Sequence, residues 1–140
     1  MRIYFRQRSV TCSIAVLTFC CQGCSSSDSC RAIILSSEKM QIRLLEQTPN
    51  SLPIHISGED KKAVVDILIA AIERGEVSEY KRDSAFDIIV FHKSDLCRIA
   101  VFKDGVFQLE SGGQFKIDDT SYASLLQLAS KYVPAASRPE

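Results

Sequence analysis

The chain lacks a net charge: its 140 residues carry 17 basic and 17 acidic side chains. Binding nucleic acid needs a clustered basic surface that displaces counterions, so no nucleic-acid partner is expected. It also lacks an apolar run of the roughly 20 residues that a membrane-spanning helix takes. The uncharged stretch 9–27 comes nearest, but Gln22, Gly23, Ser25, Ser26 and Ser27 make its second half polar. Histidine is scarce, at two residues, and the one asparagine, Asn50, has no Ser or Thr two positions on. Missing too are G-x-x-x-x-G-K-S/T, G-x-G-x-x-G, H-E-x-x-H, G-x-S-x-G and any internal repeat. No catalytic residue, cofactor or metal is therefore expected. Apolar material is not lacking: 46% of residues are hydrophobic and 24% charged, ordinary globular values in a chain of one-domain length. Such a chain buries a real core, which excludes disorder and fibrous repeats.

Charge and cysteine are unevenly placed. Residues 1–23 hold Arg2, Arg6 and Arg8 and no acid, so the rest of the chain is net acidic. Five of the six cysteines, Cys12, Cys20, Cys21, Cys24 and Cys30, lie in the first 30 residues, and only Cys97 lies in the body. The first two dozen residues thus read as a separate device. A basic start over 1–8, an apolar stretch over 10–21 and small residues after it have the layout of a signal peptide. The alternatives are an uncleaved anchor helix and a buried core helix.

Gly23, Cys24, Ser25, Ser26 and Ser27, with Leu17, Thr18 and Phe19 upstream, resemble a bacterial lipoprotein signal. In that family a cysteine after a small residue takes a diacylglycerol on its sulfur and becomes the mature N-terminus. The resemblance implies lipidation of Cys24, with Gly23 before it. The chain departs from the pattern three residues before Cys24, where the family prefers Leu and Cys21 stands; at Cys20, Leu17 fits but Phe19 is too large. The resemblance implies an exported protein held in the cell envelope, on the periplasmic side or the cell surface, through a lipid anchor, and covers about 28 residues. A single acyl chain binds membranes reversibly, whereas two or more hold firmly. The expected organisation is a signal peptide over 1–23, a lipidated cysteine and serine-rich tether over 24–30, a domain over 31–134 and a mobile tail over 135–140.

The cysteine cluster has other readings. Cys20, Cys21, Cys24 and Cys30 could supply four thiolates to zinc, and Cys21-x-x-Cys24 could be a redox pair. Both need the leader to stay in the folded protein, and no second ligand pair occurs downstream. With Cys24 lipidated, Cys30 and Cys97 remain as an even pair, able to form a disulfide in an oxidising compartment or to stay separate buried thiols.

The domain reads as α+β. Ala32, Ile33, Ile34 and Leu35 suit a short strand over 31–36, and Met40, Ile42 and Leu44 alternate with Gln41 and Arg43 as a half-buried one. A loop over 47–53 leads to a short extended segment at 54–56. Ser57 is a candidate N-cap, with Asp60 three residues on, for a helix over 59–74. Val64, Ile67, Leu68, Ala71 and Ile72 make its apolar stripe, Lys62, Asp66 and Glu73 its wet one, and Gly75 its stop.

Residues 86–92 are apolar on both faces, as in a central strand. Strands follow at 96–102 and 106–110. A three-residue loop, 103–105, sets Val101 opposite Phe107, Ile99 opposite Leu109 and Arg98 opposite Glu110, matching apolar with apolar and charge with charge. It requires a left-handed third residue, which Gly105 supplies. A glycine turn at 111–114 leads into 115–117. A last helix starts at Asp118 or Asp119 with Tyr122, Leu125, Leu126, Ala129, Tyr132 and Val133 as its stripe, and Pro134 ends it. The expected fold is a single small domain of order β-β-α-β-β-β-β-α, an antiparallel sheet with two helices on one face.

Candidate chemistry is thin. His55 or His92 could act as a general base if a carboxylate held it, but Asp87 lies on the other strand face from His92. Glu59-Asp60 and Asp118-Asp119 sit at helix starts, where capping explains them. Gly112-Gly113 reads as a turn ahead of an anion site. Two classes of function remain: a membrane-anchored, non-catalytic domain outside the cytoplasm that binds a protein, peptide or envelope component, or a small envelope hydrolase or transferase with dispersed residues. If Cys24 is not lipidated, the protein is secreted or held by a single anchor helix.

Overall fold

Strand alternation decides most of the architecture. The computed structural model describes residues 26–44, 53–78 and 83–132. In chain order these form α1 (Ser26–Leu35), β1 (Lys39–Leu44), β2 (Ile54–Ile56), α2 (Gly58–Arg74), β3 (Ser84–His92), β4 (Asp95–Phe102), β5 (Val106–Leu109), β6 (Gln114–Lys116) and α3 (Asp119–Lys131). The six strands make one antiparallel sheet of order β2-β1-β3-β4-β5-β6. It is a single small α+β domain, and β3, apolar on both faces, is interior to the sheet.

One face of the sheet is covered. Met40 and Ile42 of β1, Ile88 and Val90 of β3, Cys97, Ile99 and Val101 of β4, and Phe107 and Leu109 of β5 lie on it, all buried. Against them pack Cys30 and Ile34 of α1, Val64, Leu68 and Ala71 of α2, and Leu125, Leu128 and Ala129 of α3, in one continuous core. The other strand positions, among them Gln41, Arg43, Asp87, Ile89, Phe91, Arg98 and Gln108, belong to the opposite face. A fully buried Leu, Ile or Phe contributes about 1.5–3 kcal/mol, so the covered face is the main source of stability.

The β4–β5 hairpin has the expected register: Val101 faces Phe107 and Ile99 faces Leu109. The Glu110 N–H donates to the Arg98 carbonyl at 2.8 Å, which continues that pairing. Gly105 closes the loop at φ +78°, and a side chain there would also press on the Tyr122 ring. Helix α2 follows its reading: Val64, Leu68 and Ala71 are buried, Lys62, Asp66 and Glu73 are exposed, and Gly75 stops it at φ +101°. Ser57 does occupy the N-cap, but its side chain makes no capping bond.

Helices α2 and α3 are clamped at both ends. Arg74, in the last turn of α2, pairs with Asp118, the N-cap of α3, at 2.9 Å. At the other end Tyr132 Oη donates to Asp60 Oδ2 at 2.7 Å and Lys131 Nζ to Asp60 Oδ1 at 3.2 Å. Asp118 also accepts from the Ser121 N–H at 2.8 Å. Those Ser121 bonds, and then Arg74, hold the Asp118 carboxyl down to about 2. Asp60 is likewise held below the ordinary carboxylate value, by Tyr132 first and Lys131 second.

Three expectations are corrected. Residues 31–36 are not a strand: Arg31–Leu35 complete α1, so three helices cover the sheet and the order begins with a helix. Four apolar residues fit either period; Cys30 and Ile34, four apart, take the core side while Ala32 and Leu35 point out. The helix also begins at Ser26, so residues 26–30, expected in the tether, are helical and the domain starts before residue 31. In α3, Leu126 is 40% exposed while Leu125 is fully buried and Leu128 nearly so. Tyr122, Leu125, Ala129 and Tyr132 keep the expected stripe, and Leu128 takes the core place expected for Leu126. Val133 and the tail lie outside the described residues.

Candidate functional site

The residues expected to form a site do not all meet. Cys24 and the leader, residues 1–23, lie outside the described residues. Cys30 and Cys97 are brought together: they are joined as a disulfide with Cα atoms 5.5 Å apart, well within bridging range. Both are buried, at 4% and 0% exposure. The bond ties α1 to the covered face of β4. It also removes Cys30 from the four-thiolate zinc set considered for the N-terminal cluster. Among the described residues, no three His, Cys, Asp or Glu side chains are grouped to hold a metal ion.

Next to this bond an open groove of about 820 Å³ runs between α1 and the β3–β4 hairpin. Ser29, Ala32, Ile33 and Ser36 form the α1 wall; His92, Ser94, Asp95 and Leu96 form the other, with Glu110 at one end. These α1 positions share a side because residues three and four apart stack on a helix. The hairpin is tight: His92 pairs with Asp95, leaving a two-residue turn in which Lys93 takes φ +53°. That left-handed conformation costs a non-glycine residue about 1–2 kcal/mol. The Glu38 carboxylate accepts the Lys93 N–H at 3.4 Å.

Glu38 also stands 3.7 Å from His92 Nδ1, beyond hydrogen-bonding reach, and that buried nitrogen has no hydrogen-bond partner. His55 is elsewhere: exposed on β2, its Nε2 lies 3.2 Å from Gln41 Nε2. It lines a smaller cavity of about 260 Å³ with Lys39, Phe91 and Lys93, and Glu38 borders that cavity too. The histidines therefore do not share a site. Gly112-Gly113 forms a turn, with the Leu109 N–H donating to the Gly113 carbonyl at 3.1 Å.

The face away from the helices carries a pair that sequence reasoning missed. Asp87, on β3, is 2% exposed, and its Oδ2 accepts from Arg98 Nε at 3.0 Å and Nη2 at 2.5 Å. The Asp87 bonds, then its charge, raise the Arg98 guanidinium above its ordinary value. As read from strand alternation, Asp87 does not serve His92. The available signal was an acid inside a strand otherwise apolar on both faces. Ile89 and Phe91 continue this face as half-buried side chains, with Lys39, Gln41 and Arg43 across from them on β1. No family model, curated protein or solved structure matches this chain.

Proposed function

We propose that this is an exported lipoprotein, held at a membrane surface through a lipidated Cys24, whose domain works by binding a protein or peptide. The carrying observation is the Cys30–Cys97 disulfide. Disulfides persist in oxidising compartments, so a buried one supports passage out of the cytoplasm. It also leaves Cys24, behind Gly23 and ahead of the serines, as the thiol next to the domain in sequence. The face bearing Ile89, Phe91 and the fixed Arg98 supports the binding role. Among the described residues no helix is long and apolar enough to cross a membrane.

Mass spectrometry of the membrane fraction, with wild type beside Cys24→Ser, tests this. Lipidation gives a wild-type chain beginning at an acylated Cys24 and an unprocessed or released mutant. A wild-type chain that keeps Met1, or one cut near Ser27 and freely soluble, overturns it in favour of an anchor helix or a secreted form.

One observation favours an envelope hydrolase instead: His92 beside Glu38, in a groove that also holds Ser29, Ser36 and Ser94. A fluorophosphonate probe that labels one of these serines in wild type but not in His92→Gln would support it. Equal absence of labelling in both would count against it.

A further inference from the structure

We propose that the hairpin end of the sheet is the side that lies against the lipid surface, with Leu35 and Leu96 as its apolar contacts. The proposal rests on the lipidation of Cys24 and adds the orientation of the domain. Three observations carry it.

The first is chain length. Helix α1 begins at Ser26, two residues after Cys24. Two residues of chain reach at most about 7 Å, so a lipid on Cys24 would be held on a short tether from the helix start. Cys30 is four residues into the helix, about 6 Å along its axis. Its Cα is 5.5 Å from that of Cys97, the neighbour of Leu96. Ser29, three residues into the helix, lines the groove with Ser94 and Asp95, so a lipid on Cys24 would join the domain at its hairpin end.

The second is where apolar surface is left uncovered. Among the described residues three large apolar side chains stand out: Leu35 at 58% exposure, Leu96 at 52% and Leu126 at 40%. Leu35 ends α1, just before Glu38, whose N–H donates to the Phe91 carbonyl at 2.9 Å. Leu96 is paired directly across from Phe91. Both therefore belong to the hairpin end: Leu96 lines the groove, and Leu35 ends the helix whose Ala32 and Ile33 form its wall. Leu126 borders a different groove with Leu44, Ala85 and Phe86. Phe86 is five residues back along β3 from Phe91, roughly 17 Å away at strand rise.

The third is charge. Around the two cavities at this end, Glu38, Asp95 and Glu110 outnumber Lys39 and Lys93. A surface with more acids than bases is not drawn to anionic lipid, so apolar contact is what remains, and a zwitterionic bilayer is the occupant.

The sequence contains no tryptophan, which makes single tryptophans clean reporters. Leu96→Trp, Leu35→Trp and Leu126→Trp are made in the full-length gene, isolated from membranes and reconstituted into phosphatidylcholine vesicles with brominated acyl chains. The expected result is a blue-shifted, bromine-quenched emission from Trp at 96 and 35 and an unquenched one at 126. An acylated, vesicle-bound protein whose quenching falls on position 126, or on none of the three, overturns the orientation and leaves the anchor standing. A chain without acyl groups overturns both. A blue shift at position 96 that grows with protein concentration without vesicles assigns the surface to a second copy and also overturns the proposal.

Discussion

The two faces of the sheet solve different problems with the same strands. On the covered face every strand side chain named above is apolar, and three helices and a disulfide seal it. On the opposite face β3 places Asp87, nearly as buried as its apolar neighbours, and answers it with Arg98 from the next strand. The covered face depends on area removed from water, which is non-directional and tolerant of small shifts. The ion pair depends on direction: it offsets its desolvation only while both groups hold their geometry. The comparison teaches that one face carries the stability and the other constrains how β3 and β4 sit.

The sharpest way to break this comparison is to charge the covered face. Leu68→Asp and Leu125→Asp each bury an unpartnered carboxylate and should cost about 4 kcal/mol or more, much of a small domain's stability. Leu126→Asp, one residue along, should cost far less, roughly 1 kcal/mol, because that side chain is 40% exposed and a carboxylate there reaches water. Chemical denaturation followed by circular dichroism separates them; equal losses at 125 and 126 would show that α3 is not seated as described. Next is the disulfide. Its partners are 67 residues apart in sequence, and opening a loop of that size should cost about 4 kcal/mol on the chain-entropy model. Urea unfolding of oxidised against reduced protein measures it, and coincident midpoints would remove the bond from the account.

The open face should respond less to single changes and more to pairs. Arg98→Met leaves Asp87 without its cation and should cost about 3 kcal/mol, whereas the double variant Asp87→Leu with Arg98→Met should recover most of that. A double-mutant cycle with no coupling would sink the idea that the pair acts as a unit. The smallest effect expected is acid sensitivity at the α2–α3 clamp. Asp118 has an ordinary value of 3.8 and is held at about 2 when folded. A depressed carboxyl contributes stability that is full above its unfolded value and fades as pH falls toward the folded one. Asp118→Asn should therefore flatten the stability profile between about pH 4 and pH 2 while changing little in its shape above pH 5. An acid limb identical to wild type would place the acid response elsewhere.

Much of the fold was legible wherever neighbouring residues decide the structure. The Gly105 loop and its register followed from matching side chains across a short turn. The α2 stripe and its Gly75 stop followed from helical period. The candidate site was less legible. Cys30 and Cys97 could be counted as a pair, but whether they bond depended on α1 crossing β4. The groove beside that bond was not legible, because its α1 wall read as a strand. Glu38 beside His92, and Asp87 beside Arg98, join residues whose closeness is a matter of sheet register.

By itself, then, the sequence determined the α+β class, the β4–β5 register and the seat of α2, because each rests on spacing within a few residues. Tertiary structure alone decided that residues 31–35 are helical, that Leu128 and not Leu126 completes the core side of α3, that Cys30 finds Cys97, and that an acid on the far face is buried against an arginine. Each of these depends on which surfaces meet across long stretches of chain, and short apolar or polar patterns are compatible with more than one answer until packing selects it.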